Sequence, residues 1–382
     1  MKITTLFKEF FESEKAGGFL LLFCTIISLF FANLTLGQNY IDFWQNQFLG
    51  LSLELWVNDA LMAVFFLLVG LEIEREIFAG ELSNPKNIWL PVFAAIGGMA
   101  TPALFHAIFN FGTETMPGIG IPTATDIAFS LGILSLLGKR VPVSLKIFLT
   151  ALAIIDDLGA ILIIAIFYSS GISLIYLIGS LSIFIIMLLM RKTGINNLWM
   201  YLIPGIGMWF LMLHSGIHPT ISGVLLAFAI PFGHGEKKSP SARLQHFLHK
   251  PVAFIILPIF ALANTAILIN PEWTTGLMNN NSLGIIFGLV LGKPIGIFLF
   301  SLLALALGMG KLPKGINKKQ ILGVGFLAGI GFTMSIFISI LAFPENKNIV
   351  VDSKIAILIS SLVAGTIGYL LLYLTNRNMN TN

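Results

Sequence analysis

The chain of 382 residues is 56% hydrophobic, 12% aromatic and only 10% charged, a balance that cannot hide its apolar surface in one soluble core. It is therefore read as an integral membrane protein. The formal charge of +4 sits in short clusters between apolar segments, which reports membrane topology and excludes a nucleic-acid-binding face.

In chain order, the first apolar stretch long enough to cross ~30 Å of hydrocarbon covers 16–36. Its flank "FFANL" lacks a small-x-small cleavage pattern, so it is expected to be a retained helix rather than a signal peptide. The lone cysteine, Cys24, falls inside it and forms no intrachain disulfide. The connection at 37–57, "IDFWQNQFLGLSLELWV" in its later part, carries aromatic and branched residues without a basic one and is predicted to form a β-hairpin on the outer surface. Spans at 58–79 and 88–110 follow. The fourth, at 117–138, contains "MPGIGIPTATDIAF". Pro117, Gly118, Gly120 and Pro122 precede Thr123, Thr125 and Asp126, a density of helix breakers that argues against an unbroken helix.

The fifth span, 143–168, holds the adjacent acids Asp156 and Asp157 in "LTALAIIDDLGAILII". After a sixth at 172–190 come two short spans at 198–213 and 216–233. Gly216 to Pro219 leaves almost no loop between them, so a re-entrant hairpin is the alternative there. The longest polar loop, 233–250, is too short for a soluble domain. Spans at 251–269, 283–309, 320–343 and 351–374 complete a set of twelve. In the eleventh, Gly323, Gly325, Gly329 and Gly331 precede Thr333 and Ser335. Taken alone this reads as small-residue helix packing.

Lys and Arg accumulate in cytoplasmic loops. With both termini inside, only Lys347 and Lys354 of the 22 basic residues fall outside, and Lys293 lies within a span. Shifting the count by one helix would destroy that asymmetry.

The charges placed inside spans are Asp126, Asp156, Asp157 and Lys293. Each costs about 2.5–3.5 kcal/mol at a helix centre, roughly 10 kcal/mol together. A structural ion pair between Lys293 and one aspartate covers part of this, but three acids and one base leave an excess of negative charge that something positive must offset. Adjacent helical positions point about 100° apart, so one aspartate can meet Lys293 while the other faces an aqueous cavity. Two ionised carboxylates about 6 Å apart repel by roughly 3 kcal/mol at an effective dielectric near 20, which makes the pair a place where a proton and a cation compete. Na⁺ or Li⁺ needs oxygen ligands, which carboxylates, a threonine hydroxyl and freed carbonyls supply. The fourth and eleventh spans, seven apart, run in opposite directions and are both interrupted. Paired interrupted helices in inverted repeats point to a transporter's ion site. Asp126 and Lys293 would offset the helix ends meeting there.

These residues bring a family into view. In order, "FFLLVGLEIERE" at 65–76, "PTATDIAFSLG" at 122–132, "LAIIDDLGAI" at 152–161, "SGIHPTISGV" at 215–224, "LGKPIGI" at 291–297 and "GIGFTMSIFI" at 329–338 resemble the NhaA-type sodium/proton antiporters of bacterial inner membranes over nearly the whole chain. The resemblance implies a secondary transporter, not an enzyme, without a cofactor. It would exchange cytoplasmic Na⁺ or Li⁺ for external protons, electrogenically and by alternating access, be activated at alkaline pH, and support Na⁺ and pH homeostasis. It implies an all-α membrane fold of twelve helices, with inverted repeats and crossed unwound helices 4 and 11. Core helices at 88–168 and 283–374 would sit against scaffold and dimer helices at 16–79 and 172–269, in a homodimer joined partly by the outer hairpin. Asp157 resembles the principal cation ligand, Asp156 its partner in exchange and the salt-bridge mate of Lys293, with Thr125 and Asp126 at the helix crossing. Glu72, Arg75, Glu76 and His218 are the pH-response candidates, although His218 serves equally well as an interhelical hydrogen bonder. Where well-known members carry glutamate in an inner "RLEH", this chain reads Arg243, Leu244, Gln245, His246. A charge linked to pH response is missing, which leaves the pH profile open.

Two rival functions remain from the residues alone. An intramembrane aspartyl protease needs acids on separate helices and a "GxGD" setting, which this chain lacks. A sodium-coupled symporter is not excluded by spacing, although the Asp-Asp pair and Lys293 favour proton exchange.

Overall fold

The computed structural model describes residues 3–80, 83, 88–169, 171–233, 239–271, 273–313 and 315–377. Among the described residues nine helices are long and apolar enough to cross a membrane, or ten if one pair bent by 47° is a single span. Two shorter apolar helices accompany them.

Helix α1 (Ile3–Ala32) leads into the short α2 (Gly37–Gln45). A two-residue ladder follows, β1 (Gln47–Phe48) against β2 (Leu51–Ser52), with Gln47 opposite Ser52 and Phe48 opposite Leu51. Its turn is made by Leu49 and Gly50 at φ 49° and 86°, the left-handed pair that matches strand twist in tight hairpins. The segment is thus helix at Gly37–Gln45 followed by a two-residue hairpin ladder, and the next helix, α3 (Leu53–Ala79), starts earlier than the apolar count places it. Ser52 explains the early start: its hydroxyl accepts from the Leu55 amide at 3.2 Å, an N-cap.

Helix α4 (Trp89–Asn110) is followed by a 3₁₀ segment, Met116–Thr123, and then by α5 (Ile127–Leu136). The two aspartates lie on α6 (Val143–Phe167). Helix α7 (Leu174–Lys192) buries only Ser180 and Met187 along its length, as expected of a helix with lipid on most sides. Two short helices, α8 (Trp199–Leu213) and α9 (Thr220–Ala229), come next.

Helix α10 (Pro240–Asn264) begins inside the stretch expected to be a polar loop. Ser239 caps it, Pro240 stands in its first turn, and Leu244 and Leu248, one turn apart, bury their side chains. A polar mean over these residues conceals an apolar stripe. Helix α11 (Asn280–Ala306) contains a π-helical turn at Gly288–Gly292, just before Lys293 and Pro294. Pro294 has no amide to give its i−4 partner, and the wider turn absorbs that loss. The bent pair is α12 (Lys318–Ala328) and α13 (Phe332–Ala342), and α14 (Lys347–Arg377) closes the fold. Lys354, expected in an outer segment, is in α14 and 7% exposed.

Helices α4 and α11 touch backbone to backbone. A Cβ on Gly296 would stand 2.0 Å from the Gly97 carbonyl oxygen, and one on Gly97 would stand 2.3 Å from that of Gly296. Only glycine permits this approach, and it carries Lys293, one turn before Gly296, up to α6.

Candidate functional site

Two chain breaks meet beside the aspartates. Between Met116–Thr123 and α5 the backbone is extended at Ala124 and Asp126, and between α12 and α13 it runs through Gly329 to Gly331. Each break frees carbonyls and amides that hydrocarbon cannot satisfy. The two breaks satisfy each other. Ser335 donates to the Ile121 carbonyl at 2.6 Å and Ser130 to that of Leu327 at 2.8 Å. The Asp126 amide donates to Ile330 O at 2.7 Å, and the Lys293 ammonium donates to Thr123 O.

Asp126 serves two helices at once. Its Oδ1 accepts from the Phe129 amide at 2.9 Å, capping α5. Its Oδ2 accepts from the Thr333 amide at 3.1 Å and the Thr333 hydroxyl at 2.5 Å, in the first turn of α13. A negative charge between two helix N-termini meets both partial positive ends. Lys293, at Thr123 O, meets a carbonyl end of opposite sign.

Asp156 and Asp157 point in different directions, as adjacent helical positions must. Lys293 Nζ lies 3.0 Å from Asp156 Oδ2, with both side chains fully buried. The Thr125 hydroxyl lies 2.7 Å from that same oxygen and 2.9 Å from Ala328 O. One hydroxyl proton thus stands between two acceptors. When Asp156 carries a proton it can donate to Thr125 Oγ1, leaving Thr125 free to donate to Ala328, so the arrangement accommodates either protonation state of Asp156.

Asp157 is 1% exposed, and neither carboxylate oxygen has a hydrogen-bond partner among the described residues. It lines a cavity of about 60 Å³ together with Glu72, Arg75, Thr150, His249 and Thr333. That volume holds a few water molecules or a partly hydrated small cation. A buried carboxylate without donors calls for a proton or a cation, and hard oxygen ligands suit Na⁺ or Li⁺.

Of the pH-response candidates, Glu72 and Arg75 line this cavity. Arg75 pairs with Glu76 at 2.8 Å. Gln245, on α10, lies beside the Glu72 side chain, so the residue that departs from the family pattern is an uncharged neighbour of that cluster. His218 lies elsewhere. Its Nε2 is 3.4 Å from Asp59 Oδ1, its Nδ1 is 2.8 Å from the Thr220 hydroxyl, and its ring meets Phe337 edge-on at 5.2 Å.

Two buried acids escape the reading of the sequence. Asp59 stands where the apolar window of α3 begins and was not counted as buried. Glu74 is buried and paired with Arg191 at 3.0 Å. The Glu72, Glu74, Glu76 spacing was the available signal, because steps of two residues turn Glu74 about 200° from Glu72, toward α7. Thr333 reads in the sequence only as the first hydroxyl after a glycine break, and the fold gives it Asp126 as its partner.

A family model described as Na⁺/H⁺ antiporter 1 matches residues 8–372. The Na⁺/H⁺ antiporter NhaA of Flavobacterium psychrophilum is 60% identical over 369 residues, covering 97% of this chain and 96% of the relative. The protein of the same name from Cytophaga hutchinsonii is 56% identical over 375 residues, with 98% and 97% covered. That of Dechloromonas aromatica is 58% identical over 382 residues, with 99% and 98% covered.

Proposed function

The chain belongs to the Na⁺/H⁺ antiporter 1 family of membrane transporters, and from that premise we propose that it expels cytoplasmic Na⁺ or Li⁺ in exchange for external protons. Asp157 is the principal ligand of the cation. Asp156 shares the exchange, moving between Lys293, Thr125 and a proton, while Asp126 and Lys293 hold the helix ends. The observation that carries this reading is the contrast between the two acids. Asp156 holds two donors on its Oδ2 and leaves only Oδ1 without one, whereas neither oxygen of Asp157 has a partner among the described residues, and Asp157 faces a cavity.

In this reading the site binds the cation from the cytoplasm, turns outward, exchanges it for protons and returns protonated. Two carboxylates trading protons for one monovalent ion move net charge, so the membrane potential helps drive expulsion. The interrupted segments 116–136 and 318–342 belong to inverted repeats crossing at mid-membrane. The repeats make a core at 88–168 and 283–374 that moves against a scaffold at 16–79 and 172–269. The twelve spans then place both termini in the cytoplasm of a bacterial inner membrane, with β1 and β2 on the outer face at a homodimer contact. Glu72, Arg75 and Glu76 respond to alkaline pH, with Gln245 altering the profile. His218 belongs to that response only through α13, since its contacts are Asp59, Thr220 and Phe337 of α13.

The test is a pH-gradient dye in everted vesicles at alkaline pH. Adding Na⁺ or Li⁺ should collapse the acid interior, and Asp157→Asn should abolish the collapse. An unchanged gradient with the native chain, or a full collapse with Asp157→Asn, overturns the assignment.

A further inference from the structure

Beyond Asp157 the polar cavity stops at an apolar layer. On α6, Ile161 and Ile164 follow Asp157 at helical spacings of four and seven, so they continue its face. Both line a small void with Phe66, Ile221, Val224 and Thr220. On α13, Phe337 stands one turn past Thr333, on the same face and about 6 Å further along the axis. Its ring is held by three others from elsewhere in the fold: Phe66 of α3 at 5.8 Å, Phe260 of α10 at 6.4 Å and His218 at 5.2 Å. Phe66, Phe260 and Phe337 are all fully buried.

On the far side of this layer polar groups resume. Asp59, His218 and Thr220 form one connected cluster, and Asn58 and Asn264 pair beside it at 2.8 Å. The neighbouring residues Phe65 and Phe66 mark the boundary on α3: the first lines the cavity of Asp157 and the second the small void.

We propose that Phe337, clasped by Phe66 and Phe260, is the seal that separates the Asp157 cavity from the Asp59–His218 side, and that this seal is what couples the two ion movements. The assignment rests on the exchange reading given above. The side chains that meet here, Phe66, Phe260 and Phe337 with Ile161, Ile164, Ile221 and Val224, are apolar up to Thr220 of the His218 cluster, and such constrictions block passage by excluding water. Passage therefore requires α13 to withdraw Phe337 from the rings of α3 and α10. Because Thr333 shares α13 with Phe337 and donates to Asp126, a shift of α13 that opens the seal disturbs the groups beside Asp157. A cation or a proton is then released to the far side only together with that rearrangement.

The experiment uses thiol labelling, which does not depend on transport. In a Cys24→Ser background the only thiol is one introduced at Val69, which lines the Asp157 cavity. A membrane-impermeant cationic methanethiosulfonate should label Val69→Cys from the Glu72 side alone, as compared between everted and right-side-out vesicles. Adding Phe337→Ala should open labelling from the other side by several-fold and should speed the Na⁺-independent decay of an imposed pH gradient. Phe337→Leu, which keeps an apolar filler of smaller size, should show an intermediate effect and checks that the result is not a general loss of fold. Labelling that stays one-sided in a folded Phe337→Ala protein, with no added proton leak, overturns the seal. If the native chain shows no Na⁺-driven proton movement yet the labelling changes as expected, the exchange reading fails and the barrier stands.

Discussion

Replacing Asp156 with asparagine strands the Lys293 ammonium, which is 0% exposed and has Asp156 as its ion-pair partner. Breaking one side of a buried pair costs about 3–5 kcal/mol, so Asp156→Asn should lower the melting temperature in detergent clearly. The double variant Asp156→Asn/Lys293→Met should recover much of the loss. Asp157→Asn breaks no hydrogen bond among the described residues, and its melting temperature should stay near or above that of the native chain while exchange is lost. Equal destabilisation by both single variants would contradict the division between the two acids. The need for two unequal acids was legible in the sequence, because neighbours on a helix cannot face one partner. Which oxygen meets Lys293 is set by α4 and α11, remote in sequence from α6.

At the scale of elements, the approach of α4 to α11 makes a sharp prediction. Gly296→Ala puts a methyl group into the Gly97 carbonyl, a clash that costs about 1–3 kcal/mol or more and draws Lys293 away from Asp156. The variant should lose both stability and exchange. Gly207→Ala, on α8, meets nothing closer than Ile183 Cδ1 at 3.7 Å, and should be neutral or stabilise by about 0.5–1 kcal/mol. Parallel melting curves and dye assays check the contrast, and an active, stable Gly296→Ala protein would refute it. The apolar runs gave most helices within a few residues, since hydropathy alone decides what enters hydrocarbon. Hydropathy misses Pro240–Pro251, where a capped amphipathic helix averages to a polar mean, and the strand-like aromatic residues of 37–57 form a ladder only at Gln47–Ser52, with helix at Gly37–Gln45. Asp126 was legible as a buried acid in a broken span, yet its capping of α13 joins residues 207 positions apart.

For the molecule as a whole, a cation that binds the folded site and not the unfolded chain must stabilise it, by about 2.7 kcal/mol at a concentration a hundredfold above its Kd. Na⁺ or Li⁺ should therefore raise the melting temperature, K⁺ at equal ionic strength should not, and Asp157→Asn should remove the difference. Since a proton and a cation compete for the same carboxylates, the Na⁺-induced rise should shrink as pH falls. A rise that is independent of pH, or that survives in Asp157→Asn, would place the cation elsewhere.

The amino-acid sequence alone determined that this chain lives in a membrane, that its fourth span cannot be a regular helix, and that uncompensated acids lie at membrane depth. Each follows from local composition: hydrocarbon accepts only apolar runs, proline and glycine break hydrogen-bond ladders, and a charge count needs no coordinates. Only the tertiary structure decided that the two breaks satisfy each other's carbonyls and amides, that Glu74 faces Arg191, that His218 keeps company with Asp59 and not Glu72, and that an aromatic clasp around Phe337 lies one turn beyond Thr333. These are meetings between segments distant along the chain, and their partners are chosen by packing, which no single span contains.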